Sequence, residues 1–183
     1  MRSEYALDVE MEHVLAALMP ANRLVMQVAL RTGLRVSDVL ALRRDQIKKG
    51  RFTVVEKKTG KRRRVSLPAV LVSDLLDNEK GRKSEWVFPG GRNPAVPRTR
   101  QAVWADVKHA AKAFRLPQNV TPHSARKIYA VSLMRKYGDI DKVRSVLGHD
   151  RAETTMLYAM ADTLLTSRKR YDKVKERKRK KGD

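Results

Sequence analysis

The 183-residue chain contains no cysteine and no long apolar segment. Without cysteine, disulfides, thiolate zinc sites and a cysteine nucleophile are excluded. No apolar run approaches the roughly 18 residues of a membrane span, and the N-terminus lacks the apolar stretch of a secretory signal. The sequence also lacks a glycine-rich phosphate-binding loop and a cluster of metal ligands. We therefore expect the chain in the cytoplasm or the nucleoid.

Acidic residues are scarce: the chain has 20 of them against 41 Lys and Arg, which gives a formal net charge of +21. A folded protein with this excess binds a polyanion, nucleic acid before a membrane surface. Just over half of the basic residues lie in two segments, 43–64 and 168–183. The length suits one domain with its own core. We expect a single basic domain with tails.

Apolar spacing predicts a mainly α fold (α+β) with one small antiparallel β-sheet. Pro20 separates two predicted helices, over 8–19 and 21–33, and Gly33 suits the left-handed conformation that ends the second one. Ser37 is the predicted cap of the short helix that follows. Further helices are predicted over residues 68–78, 99–115, 122–137, 139–147 and 162–178.

Two short segments, 52–56 and 64–67, alternate apolar and polar residues or are β-branched. The sequence Lys57-Lys58-Thr59-Gly60 between them indicates a hairpin turn. A third short, buried strand is predicted for residues 86–88, within a loop rich in Gly and Pro. Because the hairpin is strongly basic, we expect it at the surface.

The phrase Thr121-Pro122-His123-Ser124-Ala125-Arg126 predicts the start of a helix with His123 and Arg126 on one face of its first turn. The helix dipole favours an anion there, and an imidazole and a guanidinium can each bind a phosphate oxygen. Taken alone, such a sequence motif more often contains a histidine that caps the helix and an arginine at the surface.

A second arginine, Arg35, lies at the helix junction Thr32-Gly33-Leu34-Arg35, with Asp38 three residues further on. We expect Arg35 to be another phosphate clamp, held in place by Asp38. The alternative is an exposed ion pair with little effect on stability, which is the commoner case for such a pair by itself.

The turn Leu147-Gly148-His149 offers a second imidazole, and Tyr158 follows nine residues later. A phenol with a pKa of about 10 is a poor nucleophile at neutral pH. Two arginines and two imidazoles nearby would favour the phenolate and neutralise the charge of a pentavalent phosphorane. By position alone, Tyr158 is more often a half-buried core residue.

In this order, and with a hairpin lysine between them, these phrases resemble the tyrosine recombinase or phage integrase family. The resemblance covers nearly the whole chain, and the ordered set is specific although each motif is weak singly. It implies the tyrosine recombinase catalytic-domain fold over residues 1–166 and a basic C-terminal tail over 167–183. Only about 34 residues precede Arg35, so we expect no N-terminal core-binding domain, which is usual in integrases, within this sequence. The chain would be either an excised catalytic domain or similar to the short, single-domain members of the family.

The resemblance also implies the chemistry. Tyr158 would attack a DNA phosphodiester, form a 3′-phosphotyrosyl bond and free a 5′-hydroxyl. Arg35 and Arg126 would clamp the scissile phosphate, and His123 and His149 would assist by hydrogen bonding or proton transfer. Because the covalent intermediate keeps the bond energy, the reaction would need no ATP, metal or other cofactor. The result would be site-specific DNA integration, excision or inversion.

The hairpin would supply the general acid for the leaving 5′-oxygen. Lys58 is the preferred residue because it directly precedes Thr59-Gly60, as in many family members, and Lys57 remains the alternative. Asp38 would be a support residue. The DNA-binding residues would be basic side chains of the hairpin and of the segment before the next long helix: Lys57, Lys61, Arg62, Arg63, Arg64, Arg98 and Arg100.

The implied partner is double-stranded DNA. By resemblance, the segment after Tyr158 would dock on a neighbouring protomer when four subunits assemble on two DNA sites, although its amphipathic pattern equally suits packing on its own protomer. The free chain would be a monomer. A non-catalytic basic DNA-binding protein predicts a buried or misdirected Tyr158, and a ribosomal-type protein predicts a preference for RNA. A type IB topoisomerase shares the chemistry, although the Leu-Gly-His turn and the compact size speak against it.

Overall fold

The computed structural model describes residues 4–6, 8–78 and 83–147. The chain divides into two compact units, Met1–Tyr129 and Ala130–Asp183, and the boundary falls inside a long helix. The described residues are mainly helical with one two-stranded antiparallel sheet, which confirms the predicted fold class. Within the same residues, no helix has the length and apolar character to cross a bilayer.

The described part of the first unit contains six helices, one hairpin and the start of a seventh helix. In chain order these elements are α1 (Asp8–Ala17), α2 (Pro20–Thr32), α3 (Val36–Val39), α4 (Arg44–Ile47), β1 (Arg51–Val55), β2 (Arg62–Ser66), α5 (Ala69–Asp77), α6 (Arg100–Ala113) and α7 (Pro122–Tyr137).

α2 ends at Gly33, whose left-handed backbone (φ 64°) lets its N–H bond back to the last turn of the helix. A Cβ at this position would lie 2.2 Å from the ring of Tyr129, so the backbone angle and the close approach both require glycine. The predicted helix end is confirmed. The predicted cap was wrong, because α3 starts directly after its N-cap residue Arg35, and Ser37 lies inside the helix.

The hairpin has Val55 opposite Arg62 at its turn end, and β2 begins two residues earlier than predicted. Val54 and Val65 are buried, whereas Arg62 and Arg64 are exposed, because alternate residues of a strand face opposite sides. The predicted hairpin is confirmed, and only one of its faces is at the surface.

The predicted third strand over residues 86–88 was wrong. Among the described residues, Trp86 forms one isolated bridge with Arg43, while Val87 and Phe88 are fully buried outside any strand. The N–H of Val87 donates to a carbonyl oxygen of the α3–α4 loop at 3.0 Å, so loop backbone replaces a strand partner. α4 was not predicted, since four residues are too few to show helical periodicity.

The core of the first unit lies between α1, α2 and α6, which contact one another pairwise. Its buried side chains include Met11, Val25, Val28, Val103 and Val107. This packing fixes the C-terminal end of α2. Arg35, the first of the predicted site residues, follows shortly after this end.

In the second unit, α7 ends at Tyr137 and α8 (Ile140–Leu147) follows after Gly138. The ammonium group of Lys142 lies 4.3 Å from the centroid of the Tyr137 ring. The helices predicted over 122–137 and 139–147 are confirmed. The helix predicted over 162–178 lies outside the described residues.

Candidate active site

A fully buried carboxylate, Glu56, lies at the centre of the candidate site. It directly follows β1 and pairs with three arginines from three separate parts of the first unit. Its Oε2 is 2.5 Å from Arg35 Nη1, and its Oε1 is 3.0 Å from Arg63 Nη1 and 3.7 Å from Arg126 Nη1. The two predicted clamp residues, Arg35 and Arg126, are therefore gathered around one anion.

The end of α2 holds two of these arginines. Arg126 Nη1 donates to the carbonyl oxygen of Gly33 at 2.6 Å, and Arg63 Nη2 donates to that of Thr32 at 2.6 Å. The last carbonyls of a helix lack intrahelical partners and form the negative end of its dipole, so they attract guanidinium groups. Both α7 and β2 are thus tied to the junction that carries Arg35.

The predicted contact between Arg35 and Asp38 was wrong, because Arg35 pairs with Glu56 instead. Arg35 is extended at the N-cap position, whereas Asp38 lies in the first turn of α3 and is buried. Its Oδ1 accepts a 3.0 Å hydrogen bond from the backbone N–H of Lys57. Asp38 therefore supports the start of the lysine turn rather than the arginine.

The turn between the strands is fixed by Glu56. Its N–H donates to the carbonyl oxygen of Lys61 at 3.0 Å, and its carbonyl oxygen accepts the N–H of Gly60 at 2.8 Å. Its Oε2 also accepts the hydroxyl of Thr59 at 3.1 Å. The same residue that pairs with the arginines thus shapes the turn. Both lysines considered as the general acid lie exposed in it, Lys57 and Lys58.

His123 lies in the first turn of α7, one helical turn before Arg126. The residue taken as a whole is exposed to solvent. Desolvation of its imidazole, followed by the positive charges of Arg126, Lys127, Arg35 and Lys58, lowers its pKa to about 4. The imidazole is therefore neutral at physiological pH. The charge of Lys58, from the hairpin turn, is the smallest of these contributions.

The charges of the buried cluster fix its own ionisation. Burial acts to raise the pKa of Glu56, but hydrogen bonds from Arg63 and Arg35 and the charges of Arg126 and Arg35 outweigh it and lower that pKa. Burial and then the charge of Arg35 lower the pKa of Arg126 to about 10, which leaves it protonated at neutral pH. Three guanidinium groups against the two carboxyl groups of Glu56 and Asp38 leave the cluster able to bind a further anion.

A groove of about 470 Å³ opens beside His123, where the first turns of α6 and α7 lie next to each other. Arg100 lines it, together with the half-exposed indole of Trp104. Arg100 is the one cationic residue among the described residues of this lining, which otherwise consists of uncharged residues such as Val36 and Gln101.

The predicted DNA-binding residues fall into two groups. Arg98 is partly buried, and its Nη1 donates to Asn22 Oδ1 at 3.4 Å. Arg63 was expected to bind phosphate. Only 13% of its side chain is exposed, however, and its guanidinium group faces Glu56. The others are exposed: Lys57, Lys61, Arg62, Arg64 and Arg100.

Glu56 was not among the predicted site residues, although the sequence carried a signal. It is one of two acidic residues in the basic segment 43–64, and it directly precedes the lysine pair. Sequence alone does not show whether such an acid faces water or buried arginines. The predicted site residues His149 and Tyr158 lie outside the described residues.

Comparison with known proteins gives the family. The phage integrase family matches residues 8–164, most of the chain. The chain is 31% identical over 155 residues to the integrase of Escherichia phage P2, covering 85% of this chain and 42% of that protein. It is 30% identical over 149 residues to the tyrosine recombinase XerD of Pseudomonas aeruginosa, covering 75% of this chain and 48% of that protein. The chain belongs to the phage integrase family.

A solved structure shares the fold. A lambda integrase dimer bound to a COC′ core site matches with a TM-score of 0.69 and 21% identity, covering 87% of this chain and 60% of that chain. The fold is therefore that of the tyrosine recombinases. The chain spans less than half the length of the P2 integrase and of XerD.

Proposed function

We propose that the chain is a site-specific DNA recombinase that cleaves and rejoins strands through a 3′-phosphotyrosyl intermediate. The observation that carries this proposal is the convergence of Arg35 and Arg126 on one buried carboxylate, next to His123 and the lysine turn. Donors arranged in this way suit a single phosphodiester. Membership of the phage integrase family supports the same function. Residues 1–166 are the proposed catalytic domain and 167–183 a basic tail.

The two arginines would act on the scissile phosphate in different ways. The Arg35 side chain is 20% exposed, so its N–H groups that do not face Glu56 are available to donate to non-bridging oxygens. Arg126 is 3% exposed, and its charge would act from behind, where low dielectric strengthens it. Both would stabilise the phosphorane, which carries more negative charge than the phosphodiester.

The proton transfers follow from the neighbouring groups. The Tyr158 oxygen would attack phosphorus, and its proton would pass to a base; His123, which is neutral, and His149 are the candidates. As the bond to the 5′-oxygen breaks, Lys58 would protonate that oxygen. We favour Lys58 over Lys57 because it directly precedes Thr59-Gly60 and because its charge acts on His123. No cofactor takes part in these steps.

Double-stranded DNA is the proposed partner. The net charge of +21 and the DNA-bound lambda integrase of the same fold support it. If about six to eight basic residues neutralise phosphates, log affinity falls against log salt with a slope of about −5 to −7. We further propose that monomers assemble as a homotetramer on two DNA sites, and that the protein is associated with the nucleoid.

A covalent trap tests the function. The chain is incubated with labelled duplex DNA from the borders of the genetic element that encodes it, nicked near the candidate cleavage point. The expected result is a retarded, protease-sensitive band on a denaturing gel that Tyr158→Phe abolishes. Tyr137→Phe is the matched control and retains the band, since Tyr137 has no proposed role. Salt-sensitive binding without a band for the wild type would favour a binding protein without catalysis.

A further inference from the structure

Glu56 connects parts of the site that are far apart in sequence. We propose that Glu56 is a positioning residue, which sets the orientation of the two clamp arginines and couples them to the turn that carries Lys58. The inference rests on the proposed function, because it assigns Glu56 to the same phosphate site. Glu56 itself does not touch the DNA, since its side chain is fully buried.

The two carboxylate oxygens divide the contacts between them. Oε2 faces Arg35 at 2.5 Å and the hydroxyl of Thr59 at 3.1 Å. Oε1 faces Arg63 at 3.0 Å and Arg126 at 3.7 Å. One oxygen therefore links an arginine to the lysine turn, and the other links an arginine to β2. A displacement of the turn is passed through this carboxylate to both arginines.

The backbone of Glu56 makes this link stiff. Its N–H and carbonyl oxygen are both used within the turn, by Lys61 and Gly60. On the other side, Arg126 is fixed to Gly33 and Arg63 to Thr32. The carboxylate thus lies between two anchored groups, the hairpin turn and the end of α2.

Charge explains why an acid is needed at this point. Arg35, Arg63 and Arg126 all have a nitrogen within 3.7 Å of the same carboxylate, so without it three guanidinium groups would repel one another at close range. A buried charge that loses its partner is strongly destabilised. With the carboxylate in place, the arginines keep a fixed geometry before DNA arrives.

An autoinhibitory role for Glu56 makes the opposite prediction. If the carboxylate competed with phosphate for Arg35, its neutralisation would tighten DNA binding. A positioning role predicts that binding hardly changes while the rate of covalent attack falls. A displacement of about 1 Å in a reacting group can cost about 100-fold in rate.

The experiment compares Glu56→Gln, which removes the charge, with Glu56→Asp, which keeps it on a shorter side chain. Glu85→Gln is the matched control, because Glu85 is an exposed acid paired with Arg43 away from the site. The readouts are the single-turnover rate of covalent complex formation at saturating nicked border DNA, the Kd for that DNA and the thermal midpoint.

A second pair of variants covers the case in which Glu56→Gln does not fold. Thr59→Val removes the hydroxyl that donates to Glu56 and accepts the backbone N–H of Lys61 at 3.4 Å, a longer contact, and Thr59→Ser keeps the hydroxyl. We expect Thr59→Val to lower the rate by about 3- to 10-fold, the equivalent of one hydrogen bond, at unchanged Kd and thermal midpoint. Thr59→Ser should react like the wild type.

The expected result for folded Glu56→Gln is a loss of rate of about 100-fold with a change in Kd below about threefold, partly rescued in Glu56→Asp. A wild-type rate in Thr59→Val, or tighter DNA binding by Glu56→Gln, would overturn the inference while leaving the proposed function intact. A wild-type chain that forms no covalent complex would instead overturn the proposed function, and the inference with it.

Discussion

The guanidinium of Arg126 donates a 2.6 Å hydrogen bond to the carbonyl oxygen of Gly33, a residue 93 positions earlier in the chain. Gly33 ends α2, and Arg35 follows two residues later. The bond therefore fixes one predicted clamp arginine to the junction that presents the other. A free carbonyl at a helix end suits this contact, because it is the negative end of the helix dipole.

Replacement of Gly33 by alanine should destabilise the protein strongly. The new Cβ would lie 2.2 Å from the ring of Tyr129, in addition to the cost of a left-handed φ of 64°. We expect a loss of at least about 2 kcal/mol in the free energy of unfolding, measured by urea denaturation. Gly138→Ala is the matched control: the same φ of 64° with open space around it should cost only about 1 kcal/mol. Equal losses in the two variants would show that the contact with Tyr129 is unimportant.

The imidazole of His123 should titrate near pH 4 rather than in the ordinary range around 6.5. Because the unfolded chain takes up this proton first, His123 should reduce stability as the pH falls from about 6.5 toward 4. An NMR pH titration of the histidine ring protons, assigned with His123→Asn, measures the pKa directly. Lys58→Gln should raise it, because one of the neighbouring positive charges is lost. A pKa near 6.5 in the wild type would show that desolvation and the neighbouring positive charges do not lower the pKa of His123.

The stabilising effect of Glu56 should depend on pH. Its pKa is lowered in the folded state, so its contribution is complete above the ordinary value of about 4.5 and declines as the pH falls through the lowered pKa. At pH 7, Glu56→Gln should cost about 3 kcal/mol in the free energy of unfolding, because buried arginines lose their partner. The difference from the wild type should shrink in acid, measured by chemical denaturation at several pH values. Glu85→Gln should show a small effect throughout.

The two faces of the hairpin should respond differently to substitution. Arg64 is exposed, so Arg64→Ala should leave the thermal midpoint unchanged and reduce the salt slope of DNA binding by about 1. Arg63 faces Glu56 and the end of α2, so Arg63→Ala should lower the thermal midpoint. Salt titrations by fluorescence anisotropy and thermal melts distinguish the two. A destabilised Arg64→Ala with normal DNA binding would contradict this division.

Local chemistry explains which features could be predicted from the sequence. The helix end at Gly33, the hairpin turn and the first turn of α7 each depend on a few adjacent residues with strong preferences. The partner of Arg35 could not be predicted, because Glu56 lies 21 residues away and reaches it only through the fold. The inward direction of the Arg63 side chain could not be predicted either, because it depends on the register of β1 and β2. Residues 86–88 were misassigned because a buried apolar segment looks the same whether or not it pairs as a strand.

Mass spectrometry of the covalent complex would show which side chain of the protein becomes linked to DNA. After nuclease and trypsin digestion, cleavage at Arg151 and Arg168 places Tyr158 in the peptide 152–168, which contains no other tyrosine. We expect this peptide to carry the mass of a 3′-linked nucleotide and fragmentation to assign the nucleotide to Tyr158. A nucleotide on any other residue, or an unmodified peptide from wild-type protein saturated with nicked border DNA, would contradict this expectation.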